Sequence, residues 1–289
     1  MNPHLLSPLS YSGNKYWLMP IIRKWIDYYP ENDKLFFEPY FGSGNVSLNL
    51  IKEGRIRTAM GTDFNPNVTS FWEVVFGAQS KELINKIDSF ELTEANIQEQ
   101  LLRNRTKLDK AFNLLLRTKV NYGANIKTNS LRSNFNTRFR RTQYSERIIN
   151  AKKLERKGII YFNSNMLGEQ NDAIRWFKSF SEGKMFWFID PPYVEAGKRL
   201  YEADEVNHYD IFHFVSKLKG KWLMTYDDHP LIYDLTREFN MHVETVRNIY
   251  THRKNKNELL ICNDFSWYYN TCTNDYELRK ITQRTNFSR

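Results

Sequence analysis

Cysteine pairs and long apolar runs are both missing from this 289-residue sequence. The two cysteines, Cys262 and Cys272, are too few for a disulfide framework and lack the CxxC spacing of a structural zinc site. No stretch approaches the ~18 to 20 apolar residues that a membrane span needs. The opening MNPHLLSPLSYSGNK has no apolar core behind a basic start, so no signal peptide is expected, and a reducing cytoplasm is the expected location. Repeats and low-complexity tracts are absent as well. His208, His213 and His229 form no metal-ligand grouping, so no metal is expected. What remains is an ordinary globular composition, 41% hydrophobic and 26% charged. The length suits one large domain, or a catalytic domain carrying an insertion. With no evident apolar interface, a monomer is the default expectation.

One further absence is local. Between Asp109 and Glu146 there is no acidic residue, although the gap holds Lys110, Arg117, Lys119, Lys127, Arg132, Arg138, Arg140 and Arg141. Those positives nearly equal the net charge of the whole chain, +9. Phe112, Tyr122, Phe135, Phe139 and Tyr144 are interleaved with them. Cations for phosphates and aromatics for bases are what a nucleic-acid surface requires. Charge alone fits a solvated helical face equally well. The stretch NYGANIKTNSLRSNFNT tips the balance, because it reads as a long polar loop or hairpin, and such loops are often functional.

Along the chain, short apolar or β-branched runs end in a polar residue and give way to helical patterns. LFFEPY (35–40), TAMGTD (58–63), GIIYFN (158–163), MFWFID (185–190) and KWLMTYD (221–227) read as strands. MHVETVRNIY and NELLICN flank the basic turn THRKNK and read as an antiparallel hairpin. Helical stretches are expected around 168–182 and 205–219. This alternation predicts an α/β fold with a doubly wound sheet, whose ligands sit at the carboxyl ends of its strands. The alternation breaks between about 70 and 157, where a mostly helical insert is expected. Residues 264–289 are polar and show no clear element.

Asp190-Pro191-Pro192-Tyr193, closing a buried-looking strand, carries the most chemistry. A heteroaromatic amine is a poor nucleophile because its lone pair is delocalised into the ring. Methylating it requires acceptors that hold its N–H bonds and favour a pyramidal nitrogen. The Asp190 carboxylate and the Pro191 carbonyl are two such acceptors. The prolines add no competing N–H and stiffen the turn, and Tyr193 can stack on an extruded base. The bland alternative is an ordinary strand-ending turn.

A second constellation is Phe37-Glu38-Pro39-Tyr40-Phe41-Gly42-Ser43-Gly44. Glycines between strand and helix let the backbone approach a cofactor. Asp63, about twenty residues on, is placed to accept from ribose hydroxyls. Glu38 would repel a pyrophosphate but suits the cationic methionyl amine of S-adenosylmethionine. A lone GxG is weak; together with Asp63 and Asp190 it is not.

These motifs, in this order, make the sequence similar to the Dam-like family of DNA adenine-N6 methyltransferases over roughly residues 5 to 263. Tyr11-Ser12-Gly13-Asn14-Lys15 matches that family's opening motif, which more often reads Gly-Gly-Lys. The resemblance implies a Rossmann-like catalytic domain at 1–69 and 158–289 and a target-recognition insert at 70–157. It implies S-adenosylmethionine as cofactor, held by Tyr11, Ser12, Gly13, Lys15, Glu38, Pro39, Phe41, Gly42, Gly44, Asp63 and Asp190. Asn165 and Met166 stand where many relatives place an Asp-Phe pair against the cofactor's adenine. Asp190, Pro191, Pro192 and Tyr193 would be catalytic. Duplex DNA would meet Lys119, Tyr122, Asn125, Lys127, Arg132, Asn134, Arg138, Arg140 and Lys198, and the target adenine would be flipped out. The host would be a bacterial or phage-infected cell. Rival readings are a methyltransferase for RNA or another planar amine, and a DNA-binding relic without catalysis.

Overall fold

The computed structural model describes residues 6–9, 11, 13–121, 141–162, 185–194, 206–248 and 256–271. Its strands are β1 (Leu35–Glu38), β2 (Thr58–Gly61), β3 (Ile159–Phe162), β4 (Met185–Ile189), β5 (Lys221–Asp227), β6 (His242–Asn248) and β7 (Lys256–Cys262). They form one sheet in the order β3-β2-β1-β4-β5-β7-β6. The first five run parallel, β7 is antiparallel to β5, and β6 pairs antiparallel with β7. All five strands and the hairpin expected from the sequence are therefore present. β4 is buried at every position, as a parallel strand covered on both faces must be. The connections run in opposite directions from β1 and from β4, so a crevice opens at the carboxyl ends of these neighbours. Glu38 ends β1 and Asp190 follows β4 directly.

A 3₁₀ turn (Lys15–Leu18) leads into α1 (Met19–Tyr28), and α2 (Asn45–Lys52) follows β1. Between β2 and β3 every described element is a helix: α3 (Pro66–Phe76), α4 (Ser80–Ser89), α5 (Glu94–Leu102), α6 (Lys107–Val120), α7 (Arg141–Lys153) and a 3₁₀ turn (Leu154–Arg156). The sequence dictates several of their starts. Asn65, Thr93 and Thr106 each accept from a first-turn N–H through the side chain, and Pro66 occupies the first position of α3. Phe71 and Trp72 of α3 join the same hydrophobic core as Phe112, Leu115 and Ile148 from the later helices. The expected domain boundary at residue 70 falls inside α3.

After β4 come α8 (His208–Ser216), α9 (Pro230–Glu238) and α10 (Ser266–Thr271). His229 caps α9 by accepting from Leu231 N, and His208 Nδ1 lies 3.0 Å from the Tyr226 hydroxyl. The helix α10 corrects the expectation of no element beyond 264. Asp264 accepts from Ser266 N at 2.8 Å and starts the turn. Trp267 is fully buried and faces Trp25 of α1 at 6.4 Å. A six-residue helix held by one tryptophan leaves too little periodicity to see in sequence. The described tryptophans, 17, 25, 72, 187, 222 and 267, are all buried; Trp176 lies outside the described residues. No described helix is long and apolar enough to cross a membrane.

Candidate active site

The loop after β1 turns on two glycines with left-handed backbone, Gly42 at φ 46° and Gly44 at φ 63°. A Cβ on Gly44 would sit 2.3 Å from the Phe41 ring, and one on Gly42 would sit 3.1 Å from Tyr11. Only glycine fits both demands at Gly44. Phe41 is the wedge beneath the loop: it is buried, edge-on to Trp72 at 5.2 Å. Its ring thus shapes the loop from below. Pro39 is also buried. Trp72 donates through Nε1 to the Gly42 carbonyl at 2.9 Å, fixing the turn from the helical side.

Asp63 closes that turn from β2. Its Oδ2 accepts from Gly42 N at 2.8 Å and its Oδ1 from Asn65 N at 2.9 Å. Burial pushes its carboxyl up to about 6 despite these two donors. Each carboxylate oxygen keeps a further acceptor site for a hydroxyl.

Glu38 is 4% exposed, and its Oε2 accepts from Ser47 N at 3.2 Å and Ser47 Oγ at 2.6 Å. Burial pushes its carboxyl from 4.5 up to about 8, with Asp190 and Asp63 adding to the rise and the Ser47 donors opposing it. A carboxyl that ionises near 8 when folded, but in the ordinary range when unfolded, holds an extra proton in the folded state between those values. Stability then falls as pH rises through that window. Replacing Glu38 with Gln is accordingly expected to flatten the loss of stability between pH 5 and 8. Urea denaturation of the ligand-free protein at several pH values measures this; parallel profiles for the two proteins would contradict it.

Gly13 has φ 84°, and Asn14, which stands in place of a glycine, accepts from Tyr16 N at 2.9 Å and caps the 3₁₀ turn. Lys15 is thereby sent inward. Its Nζ lies 2.8 Å from Asp190 Oδ2, 2.8 Å from the Gly13 carbonyl and 3.8 Å from Glu258 Oε2. It also sits over the Tyr193 ring, 4.7 Å from the centroid. Burial would lower its basicity, but the carboxylates of Asp190, Glu258 and Glu38 outweigh burial and hold the ammonium charged. Two carboxyl groups share one cation, with Glu38 acting on it from farther off. Asp190 is accordingly raised by burial and by Glu258, with Lys15 only partly compensating.

The structure also gathers residues that the motifs do not include. Thr225 of β5 donates to Asp190 Oδ1 at 2.6 Å. Tyr193 donates its phenol to Glu258 Oε2 at 2.5 Å. Burial and the charges of Glu258 and Asp190 hold that phenol well above its usual range, so it stays a donor. Tyr226 lies beside Tyr193 at 6.1 Å with 29° between the rings. Asp227 accepts from Val194 N at 3.3 Å, steadying the backbone after the motif. The available signal was polarity inside apolar strands: Thr225 and Asp227 in KWLMTYD, and Glu258 in NELLIC.

The helical segment carries Lys119 over the ring of Tyr144, 5.1 Å from its centroid, and Tyr144 is buried in the core. Ser12, Tyr122, Asn125, Lys127, Arg132, Asn134, Arg138, Arg140, Asn165, Met166 and Lys198 lie outside the described residues. Among the described residues no cluster of three metal-ligating side chains occurs.

Residues 11–249 match the family of D12 class N6 adenine-specific DNA methyltransferases. No curated protein matches the chain. Among solved structures, similarity is found to an rRNA methyltransferase, AviRa, from Streptomyces viridochromogenes. One structure of it, at 1.5 Å, is 12% identical with a TM-score of 0.43, covering 91% of this chain and 90% of that one. A second, at 2.4 Å, is 11% identical with a TM-score of 0.41, covering 91% of each.

Proposed function

Because this chain belongs to the family of D12 class N6 adenine-specific DNA methyltransferases, we propose that Asp190, Pro191 and Tyr193 receive the adenine and that S-adenosylmethionine is the methyl donor. Three acidic side chains at the carboxyl ends of adjacent strands carry this reading: Glu38 ending β1, Asp63 after β2 and Asp190 after β4. Such a set suits a ligand with two cationic centres and ribose hydroxyls, and repels a pyrophosphate. Glu38 would face the methionyl amine and Asp63 the ribose, on a loop that Gly42 and Gly44 keep free of side chains. When bound, S-adenosylmethionine supplies an electrophilic methyl on a cationic sulfur.

The chain's own part is positioning and electrostatics. Asp190 and the Pro191 carbonyl accept hydrogen bonds from the two N6 N–H groups and localise the nitrogen lone pair. As the nitrogen gains positive charge, the Asp190 carboxylate stabilises it. Tyr193 presents its ring to an adenine turned out of the duplex, a few kcal/mol of unstacking being offset by contacts in the site. We assign DNA recognition to the inserted segment at 70–157, on its run of positive charge, and take the enzyme to act on duplex DNA as a cytoplasmic monomer.

Asp63→Ala tests the cofactor side. It is expected to weaken S-adenosylmethionine binding about 10- to 100-fold by loosening the Gly42 turn and removing the hydroxyl acceptor, with no metal added. Calorimetric titration reads this. Unchanged affinity would place the cofactor elsewhere.

A further inference from the structure

Glu258 has no part in the Asp-Pro-Pro-Tyr motif or the glycine loop, yet it is 6% exposed and built into the centre of the site. The antiparallel register of β5 and β7 puts it opposite Asp227. One of its oxygens, Oε2, accepts the Tyr193 phenol at 2.5 Å and lies 3.8 Å from Lys15 Nζ. Lys15 in turn contacts Asp190 at 2.8 Å, and Thr225 holds the other Asp190 oxygen. Asp190, Lys15, Glu258 and Tyr193 thus form a continuous chain, buried at Lys15 and Glu258 and half-buried at its ends, that links the amine acceptor to the stacking ring.

We propose that Glu258 is a positioning residue for methyl transfer: it divides the Lys15 charge with Asp190, and it fixes the Tyr193 ring through its phenol. The inference rests on the reading of Asp190 and Tyr193 as the adenine-binding pair. An ammonium held by Asp190 alone would draw electron density from that carboxylate and weaken it as an acceptor for the N6 protons. A second carboxylate on the same ammonium leaves Asp190 a stronger acceptor, which is what a nitrogen gaining positive charge requires. The phenol–carboxylate bond is charge-assisted and half-buried, so it also fixes the ring in one orientation.

The test compares Glu258→Gln, Glu258→Asp and Asp190→Ala with the unaltered full-length chain. Gln keeps an oxygen to accept from Tyr193 but removes the charge. The groups facing Asp190 are Lys15, Glu38, Tyr193, Tyr226 and Glu258, and Glu258 raises its pKa. Glu258→Gln should therefore lower kcat about 10- to 30-fold, keep KM for S-adenosylmethionine within about twofold, and move the acid limb of kcat to lower pH. Glu258→Asp keeps the charge, so its acid limb should stay where it is while kcat falls through loss of the Tyr193 contact. A Gln variant with unaltered kcat and acid limb, or equal shifts in both Glu258 variants, overturns the proposal while an inactive Asp190→Ala upholds the adenine site. Full activity in Asp190→Ala instead removes the adenine site itself.

Discussion

Asp190→Ala is expected to lower kcat by about 10³-fold or more while leaving affinity for S-adenosylmethionine within about threefold. The carboxylate follows β4 directly and is held at both oxygens, by Thr225 at 2.6 Å and Lys15 at 2.8 Å. Neither partner lies on the glycine loop that we assign to the cofactor. Removing Asp190 takes away the acceptor that localises the N6 lone pair, an interaction that strengthens only as the nitrogen gains charge. Loss therefore falls on kcat rather than on ground-state binding. Lys15 keeps Glu258 at 3.8 Å, so the substitution does not strand the cation alone in the interior. Asp190→Asn checks the point differently: it retains shape and one acceptor oxygen but loses the charge. It should fall between the two, and an alanine variant with wild-type kcat would refute the assignment.

Lys15→Met is expected to cost about 10²-fold in kcat at neutral pH and to move the acid limb of the kcat profile upward. Methionine preserves most of the buried length of the side chain and removes the charge together with the bond to the Gly13 carbonyl. Asp190, Glu258 and Glu38 would then face one another without a counter-ion, and a buried carboxylate deprived of its cation is driven toward the protonated form. The sign follows directly. Lys15 lowers the Asp190 pKa, so without it Asp190 ionises at higher pH, and the ionised fraction available to accept the amine rises later. This shift is opposite to that expected for Glu258→Gln. Measuring kcat at saturating cofactor and DNA from pH 5 to 9 in both variants gives a paired result that a general loosening of the site would not produce. Unmoved acid limbs in both would show that Asp190 does not titrate in the activity profile.

The contrast between these residues shows what the sequence could reveal. Asp190, Glu38 and Asp63 are visible because each ends an apolar run of strand length, and strand ends are where an α/β sheet binds ligands. The five parallel strands are visible for the same reason, and β6 and β7 as a hairpin around a basic turn. Lys15 is visible as part of an opening motif, but its pairing with Asp190 is not. The pairing depends on Asn14 capping a 3₁₀ turn that directs the lysine inward, and on two segments far apart in sequence meeting at the β1–β4 crevice. Glu258 and Thr225 were legible only as strand residues. Their contribution arises from the pairing of β5 with β4 on one side and β7 on the other, a register that short apolar runs do not encode on their own. Phe41 reads as a loop residue among glycines, yet packing sends it beneath the loop, where Gly44 and Gly61 make room for its ring. Tertiary packing decided that placement, and no local pattern marks it.

The measurement that tests the central claim most directly is transfer of labelled methyl from S-adenosylmethionine to mixed-sequence duplex DNA, followed by nucleoside analysis. The unaltered chain should yield N6-methyladenine as the labelled product, and Asp190→Ala should yield none while still binding the cofactor. Label on cytosine, or label in RNA with none in DNA, would contradict the account.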